Sequence, residues 1–274
     1  MTSTLVIVFA GVTGEREDVA MVLEHSHTSD FVNSVFWDVD LSGSTFRACN
    51  LSGVRIYSSF VTDLSVTGWD GEVGTVVIDG VDVTSYVAAE LDARFPERVQ
   101  LREARTADDY RAVWDTIEGL WAQALARAEA LPEAMLTERV NREWSFVETL
   151  RHLAFAVDTW IEAMIRGKAS PYCALGLPPA DLPAEGFAEM GLDADARPSF
   201  AEVLALHKDH LSQVREVVDS LSDDDLAQTR SATLFSGWGE ESQTVAHCLL
   251  VIMREHNEHR RFALRDLAAL DPQN

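Results

Sequence analysis

From about residue 106 to the C-terminus, apolar positions recur every three or four residues, which predicts amphipathic helices. Two of these helices open on a capping box, in which a Ser is followed three residues later by a Glu. Four helices joined by one long Pro- and Ala-rich connection predict a four-helix bundle over residues 105–274. The predicted helices run from about Thr106 past Leu125, from Ser145 to near Gly167, from Ser199 to Leu221, and from about Ser242 to Leu270.

An apolar residue stands at every fifth position between Phe31 and Val66. Neither 3.6 nor 2 divides this repeat, so the segment is not an amphipathic helix or a simple strand. A short repeat predicts a solenoid that stacks large and small residues in separate internal columns, with an irregular β-meander as the alternative. The series is Phe31, Phe36, Leu41, Phe46, Leu51, Ile56, Val61 and Val66.

The units Asp40-Leu41-Ser42-Gly43-Ser44 and Asn50-Leu51-Ser52-Gly53-Val54 resemble the pentapeptide-repeat family. The resemblance implies a right-handed β-helix with four units in each turn, hence a stub of about two turns. Alternating apolar residues in the segment 71–81 predict a β-hairpin that caps its open end. Solenoid and hairpin together span residues 29–100. Residues 1–28 form an extension whose apolar run, Leu5 to Val12, is either a strand or a segment that does not fold.

Charge and cysteine content narrow the classes of function. The net charge of −23 disfavours binding to phosphate backbones and to anionic membranes. Three widely spaced cysteines indicate reduced thiols rather than a disulfide framework. No targeting segment is visible, so we expect a cytoplasmic protein that binds neither nucleic acid nor membrane.

Three side chains on two predicted helices are candidate metal ligands. Glu255 and His259 are four residues apart and therefore share one helix face, and His152 lies on the apolar side of another helix. If the two helices pack together, they supply two imidazoles and one carboxylate, the ligand count of a catalytic zinc site. The alternatives are an exposed Glu–His pair on one helix and a lone hydrogen-bonded His on the other.

Four other histidines are weaker candidates. His256 with His259 is a rival pair, but position 256 is rotated about a quarter turn from the stripe that contains Glu255. His247 lies further out of line. His207 and His210 flank Lys208 and Asp209, and we expect them, like His247, at the surface or its boundary.

The segments Glu143–Leu153 and Glu255–Ala263 resemble the DinB-like (YfiT-like) metalloenzyme superfamily. Its members are four-helix bundles with a His on the second helix and an H-x-x-x-H pair on the last, often followed by Arg, as in His259-Arg260. This chain departs from that pattern at Glu255, which replaces the first His of the pair. A His, Glu, His set is similar to that of the mycothiol-dependent maleylpyruvate isomerases of the superfamily.

The resemblance implies a metal-dependent enzyme that activates a low-molecular-weight thiol for S-transfer or isomerisation of a small electrophile. Zinc is the expected ion, with nickel and manganese as alternatives, and His152, Glu255 and His259 are its implied ligands. Glu148 is a weak candidate for a general base, although capping its own helix is the more economical role. The expected partners are the small substrate and the thiol, and a homodimer is left open. The competing hypothesis is a non-catalytic interaction protein or acidic decoy that uses the pentapeptide-repeat module.

Overall fold

The structure is a computed structural model that describes residues 3–7, 21–26, 28–47, 49–68, 74–179, 182–237 and 239–271. The chain forms two compact units, residues 1–62 and 63–274. Most of the described secondary structure is helical. Within the described ranges, no helix combines the length and the apolar character needed to cross a lipid bilayer.

The first unit contains one antiparallel strand pair, β1 (Ser3–Ile7) with β2 (Met21–His25). The first three residues of the apolar run at the N-terminus therefore lie in a strand, which resolves the alternative that the sequence left open for residues 5–7. Residues 8–12 of that run lie outside the described residues.

Turns recur at five-residue intervals in the repeat segment. The backbone takes a positive φ at Asn33, Asp38, Gly43, Gly53 and Ser58. No strand forms among the described residues 28–68, and the eight apolar side chains of the series are 45–66% exposed instead of buried in a column. The β-helix is therefore not shown, and the pentapeptide-repeat solenoid stays a prediction.

The second unit begins with a β-hairpin and two short helices. Strands β3 (Val77–Ile78) and β4 (Val81–Asp82) pair antiparallel, as the hairpin prediction requires, although residues 71–73 lie outside the described residues. Helices α1 (Thr84–Arg94) and α2 (Glu97–Glu103) follow, and neither was predicted. No residue of α1 is buried, and four of the seven residues of α2 are charged, so neither helix has the long apolar stripe that reveals a helix in a sequence.

Four long helices form the core of the second unit, close to the predicted bounds. The helix that begins at Phe146 opens on the predicted Ser145 capping box and passes into a π-helical segment, and the helix that begins at Phe200 opens on the Ser199 box. The connection after the π segment holds the short helix α6, and a β-hairpin precedes the last helix. The bounds are α3 (Ala107–Glu129), α4 (Glu133–Leu136), α5 (Phe146–Val157), the π segment (Asp158–Ile165), α6 (Ala184–Met190), α7 (Phe200–Ser220), α8 (Asp223–Leu226), β5 (Thr229–Phe235), β6 (Gly239–Thr244) and α9 (Val245–Leu270).

Two histidines that we expected at the surface lie in the core instead. His207 and His210 are 0% and 4% exposed, on the inward face of α7 with Val203 and Val214. The spacing of these four residues is that of one helical stripe, so the apolar neighbours outweigh the flanking Lys208 and Asp209. The prediction for both residues was wrong for that reason.

His210 and Asp158 form a buried ion pair between α7 and the π segment. The His210 Nε2 lies 2.9 Å from Asp158 Oδ1, and each side chain is 4% exposed. Burial lowers the pKa of His210, but the hydrogen bond and charge of Asp158 outweigh burial and raise it overall. The pair therefore stabilises the fold while His210 is protonated.

Because of the His210–Asp158 pair, we expect the free energy of unfolding to depend on pH. Because the pKa of His210 is raised on folding, its contribution is complete below the unfolded value of about 6.5 and is lost as the pH rises through the folded value. We expect the free energy of unfolding of the wild type to fall from about pH 6.5 upward more steeply than that of His210→Gln. Urea unfolding at a series of pH values measures the difference, and parallel curves would contradict the assignment.

Candidate metal centre

Three side chains converge at one side of the bundle. The Nε2 atoms of His152 and His259 lie 3.3 Å and 3.0 Å from the same oxygen, Oε2 of Glu255. One ligand atom of each residue lies within 4.8 Å of the other two. Among the described residues this is the one group of three or more His, Cys, Asp or Glu side chains with metal-site spacing. The structure thus brings together the three residues that the sequence singled out.

Local sequence explains this convergence. Ser145 accepts a hydrogen bond from the Glu148 N–H and starts α5, so that His152 falls two turns into the helix. In α9, the four-residue spacing stacks His259 over Glu255. Packing of α5 against α9 then brings the imidazole of His152 opposite this pair.

The donor set fits a divalent metal ion. Bonds of 2.0–2.1 Å in a tetrahedral zinc site place neighbouring donors about 3.3 Å apart, close to the distances from Glu255 to the two imidazoles. The side chains of His152, His259 and Glu255 are 10%, 20% and 32% exposed, so the group lies at the rim of the core, within reach of solvent. Three protein ligands would leave a further position for a small molecule.

The surroundings of Glu255 and His259 favour the protonation states that bind a metal. Burial raises the pKa of Glu255, but the ring nitrogens of His152 and His259 beside its carboxylate outweigh burial and hold that pKa far below its usual range. Burial lowers the pKa of His259. A carboxylate and a neutral imidazole are the forms that coordinate metals.

A second layer of contacts fixes the orientation of His152. Its Nδ1 lies 2.9 Å from the carbonyl oxygen of Leu177, so Nδ1–H donates to that oxygen and Nε2 faces Glu255. Such a contact from the far nitrogen is the usual support of a metal-binding histidine. The carbonyl belongs to the long connection, whose sequence alone gave no sign of this role.

Arg151 holds the connection against α5. It is 4% exposed, and its guanidinium donates to the carbonyl oxygens of Leu175 and Ala196 at 2.8 and 3.2 Å. The Leu177 N–H donates to the carbonyl oxygen of Arg151 at 3.1 Å. These three bonds keep the carbonyl of Leu177 beside His152.

We therefore expect the replacement of Arg151 to weaken metal binding, although Arg151 is not itself one of the three candidate ligands. We expect Arg151→Met to weaken zinc binding by about 10–100-fold, the range for loss of an outer contact. Arg197→Met is the matched control, since exposed Arg197 donates to the same Ala196 carbonyl but not to Leu175. Competition titration with a chelator measures both affinities. Equal affinity of Arg151→Met and wild type would show that the connection does not orient His152.

The indole of Trp144 covers one side of the group. Its ring centroid lies 4.4 Å from that of His152 and 5.7 Å from that of His259, with interplanar angles of 36° and 29°. The preceding residues Asn141 and Arg142 adopt left-handed backbone conformations, φ 51° and 63°, in the turn that leads to Trp144. Trp144 thus shields two of the three donors.

Glu148 has the contacts of a helix cap. It accepts from the backbone N–H of Ser145 at 3.0 Å and from the guanidinium of Arg139. Burial opposes ionisation, but these partners lower the pKa of Glu148. A carboxylate engaged in this way matches the capping role, and its candidacy as a general base stays an untested prediction.

The remaining candidates lie apart from the group. His256 is 0% exposed and packs edge-on against Trp114, with ring centroids 5.1 Å apart, so it faces the core. His247 lies beside Trp160 at the boundary. Cys248 is fully buried, as expected of a small core residue, and burial raises its pKa to about 11.

Comparison with known families adds one finding. The family model of the DinB superfamily matches residues 116–263, more than half of the chain. This range contains His152, Glu255 and His259. No protein of curated function and no solved structure matches the chain significantly. By the family match, the chain belongs to the DinB superfamily.

Proposed function

We propose that the protein is a metal-dependent enzyme that uses a low-molecular-weight thiol to transfer sulfur to, or to isomerise, a small electrophile. The observation that carries the proposal is the convergence of His152, Glu255 and His259, with the far nitrogen of His152 held by the Leu177 carbonyl. The thiol chemistry itself rests on the resemblance to the mycothiol-dependent isomerases.

The charge of the donor set suits this chemistry. Two neutral imidazoles and one carboxylate would leave a divalent ion with a net charge of about +1. A zinc ion held there would lower the pKa of a bound thiol or water. Glu255 and the two imidazoles would hold the ion, and Trp144 would shield one side of it from water.

Metal analysis of the purified protein tests the first half of the proposal. After expression in metal-replete medium, we expect about one divalent ion per chain in the wild type and none in a His152→Ala, His259→Ala double variant. A wild type without stoichiometric metal would contradict thiol activation.

Thermal-shift screening of the metal-bound protein against mycothiol, bacillithiol and glutathione tests the use of a thiol. We expect one of these thiols to raise the melting temperature of the wild type and not that of the double variant.

A second candidate function is a non-catalytic interaction role for the N-terminal part. All the large, exposed hydrophobic side chains among the described residues lie between Phe31 and Tyr86. Concentration of exposed apolar area in one segment is typical of surfaces that bind other proteins. A deletion of residues 31–83 that abolished partner binding but left the metal in place would support this role over the enzymatic one.

A further inference from the structure

Four aromatic side chains in the centre of the bundle bring unpaired nitrogen atoms together. Trp114 and Trp121 come from α3, His207 from α7 and His256 from α9, and each is 0% exposed. Both indole nitrogens and all four imidazole nitrogens are buried, and none has a hydrogen-bond partner among the described residues. Buried polar atoms in folded proteins almost always have partners, so six unpaired atoms in one place indicate that a partner is missing.

The four rings adjoin one another. Ring centroids are 4.9 Å apart for Trp121 and His207, 5.1 Å for Trp114 and His256, and 5.7 Å for His207 and His256. This core cluster is distinct from the metal centre, whose side chains lie at the rim.

The protonation state of the two imidazoles defines what the partner must supply. Both rings are fully buried, and no carboxylate in the described part of the chain is hydrogen-bonded to any of their nitrogens, an environment that favours the uncharged imidazole. Each neutral imidazole has one N–H and one bare nitrogen that accepts. The cluster therefore presents two acceptors and, with the indoles, four donors.

Contacts between the rings can satisfy some of the N–H donors, but they cannot satisfy the bare nitrogen of either imidazole. His256 stands at 89° to Trp114 and at 90° to Trp121, and His207 at 60° to Trp121. An N–H that points at an aromatic face gains a weak hydrogen bond. A bare nitrogen gains nothing from such a face, because its lone pair needs a hydrogen atom. A ligand of this cluster must therefore donate to both bare nitrogens, and one that also accepts can satisfy the indole N–H groups.

We propose that this cluster is a binding site for one internal water molecule, which donates to the bare nitrogens of His207 and His256 and accepts from the indole N–H groups of Trp114 and Trp121. Two hydrogen bonds of about 2.9 Å each can bridge nitrogens of rings whose centroids are 5.7 Å apart. Two donated and two accepted bonds complete the capacity of the molecule, within the range of 2–4 partners typical of internal water. The site joins three helices of the bundle through one shared ligand.

Magnetisation transfer from water to the indole protons tests the proposal on the intact wild-type protein. With ¹⁵N-labelled protein, we expect the N–H protons of Trp114 and Trp121 to show the nuclear Overhauser effect of a long-lived bound water. The indole of Trp37, which is 86% exposed, provides the reference for bulk solvent. Absence of the bound-water effect at both buried indoles would overturn the proposal.

A matched pair of variants locates the water. His207→Phe removes one acceptor on α7 without altering α5 or α9, and we expect the bound-water effect at Trp121 to disappear. His247→Phe makes the same change at the boundary of α9, outside the cluster, and should leave the effect intact. If His207→Phe does not fold, a high-resolution crystal structure of the wild type decides: one water between the two imidazoles supports the proposal, and an empty site or a metal ion overturns it. The result is independent of the metal centre and of thiol chemistry.

Discussion

Replacement of His259 by alanine is expected to weaken the binding of zinc by more than about 100-fold. Loss of an outer contact alone costs about 10–100-fold in metal affinity, and this change removes a direct donor. The two remaining side chains, His152 and Glu255, cannot complete a three-ligand site. Isothermal titration of the metal-free variant and wild type with zinc measures the effect.

Two control variants sharpen this prediction. His247→Ala removes a histidine from the same helix at a position outside the site, and we expect wild-type affinity. Glu255→His replaces the carboxylate by an imidazole, which is also an ordinary zinc ligand, and we expect the ion to be retained. If His259→Ala binds zinc as tightly as His247→Ala, the three residues are not the ligands.

The second large effect is expected from a buried ion pair that fixes α2 on α9. Glu97, 6% exposed, accepts from the guanidinium of Arg260, 7% exposed. Removal of one partner from a buried pair leaves an uncompensated charge, which costs about 3–5 kcal/mol. We expect Glu97→Gln to lower the free energy of unfolding by an amount in this range, measured by urea denaturation.

An exposed pair in the same region provides the matched control. Glu90 and Arg94 form an i,i+4 pair whose side chains are 44% and 66% exposed. Pairs of this kind contribute about 0.3–0.5 kcal/mol, so Glu90→Gln should be nearly neutral. Equal effects of the two substitutions would show that the contact between α2 and α9 does not depend on the buried charges.

Sequence patterns predicted the long helices and the three candidate ligands because both depend on local spacing. The capping boxes at Ser145 and Ser199 define helix starts within a few residues, and the four-residue separation of Glu255 and His259 defines a shared face. The helix starts and the shared face need no knowledge of distant parts of the chain. The placement of His152 opposite Glu255 and His259 was conditional on the packing of two helices, and the resemblance to the DinB-like superfamily supported it.

The features that the sequence did not reveal depend on distant contacts. The Leu177 carbonyl reaches His152 only because Arg151 holds the connection in place, and backbone carbonyls leave no mark in a sequence. The strands of the hairpin β5–β6 consist largely of polar residues that are exposed or half-buried. They therefore lack the alternation of apolar and polar residues that reveals a strand in a sequence. The burial of His207 could have been predicted, because Val203 and Val214 lie on the same helix stripe. The flanking Lys208 and Asp209 led instead to the prediction of a surface position.

The position of a bound ion tests the central claim most directly. In crystals grown with zinc, the account predicts one anomalous difference peak at the zinc absorption edge, about 2.0–2.1 Å from Nε2 of His152, Nε2 of His259 and a carboxylate oxygen of Glu255. A crystal without a peak at these residues, or with zinc bound by other side chains, would contradict the account.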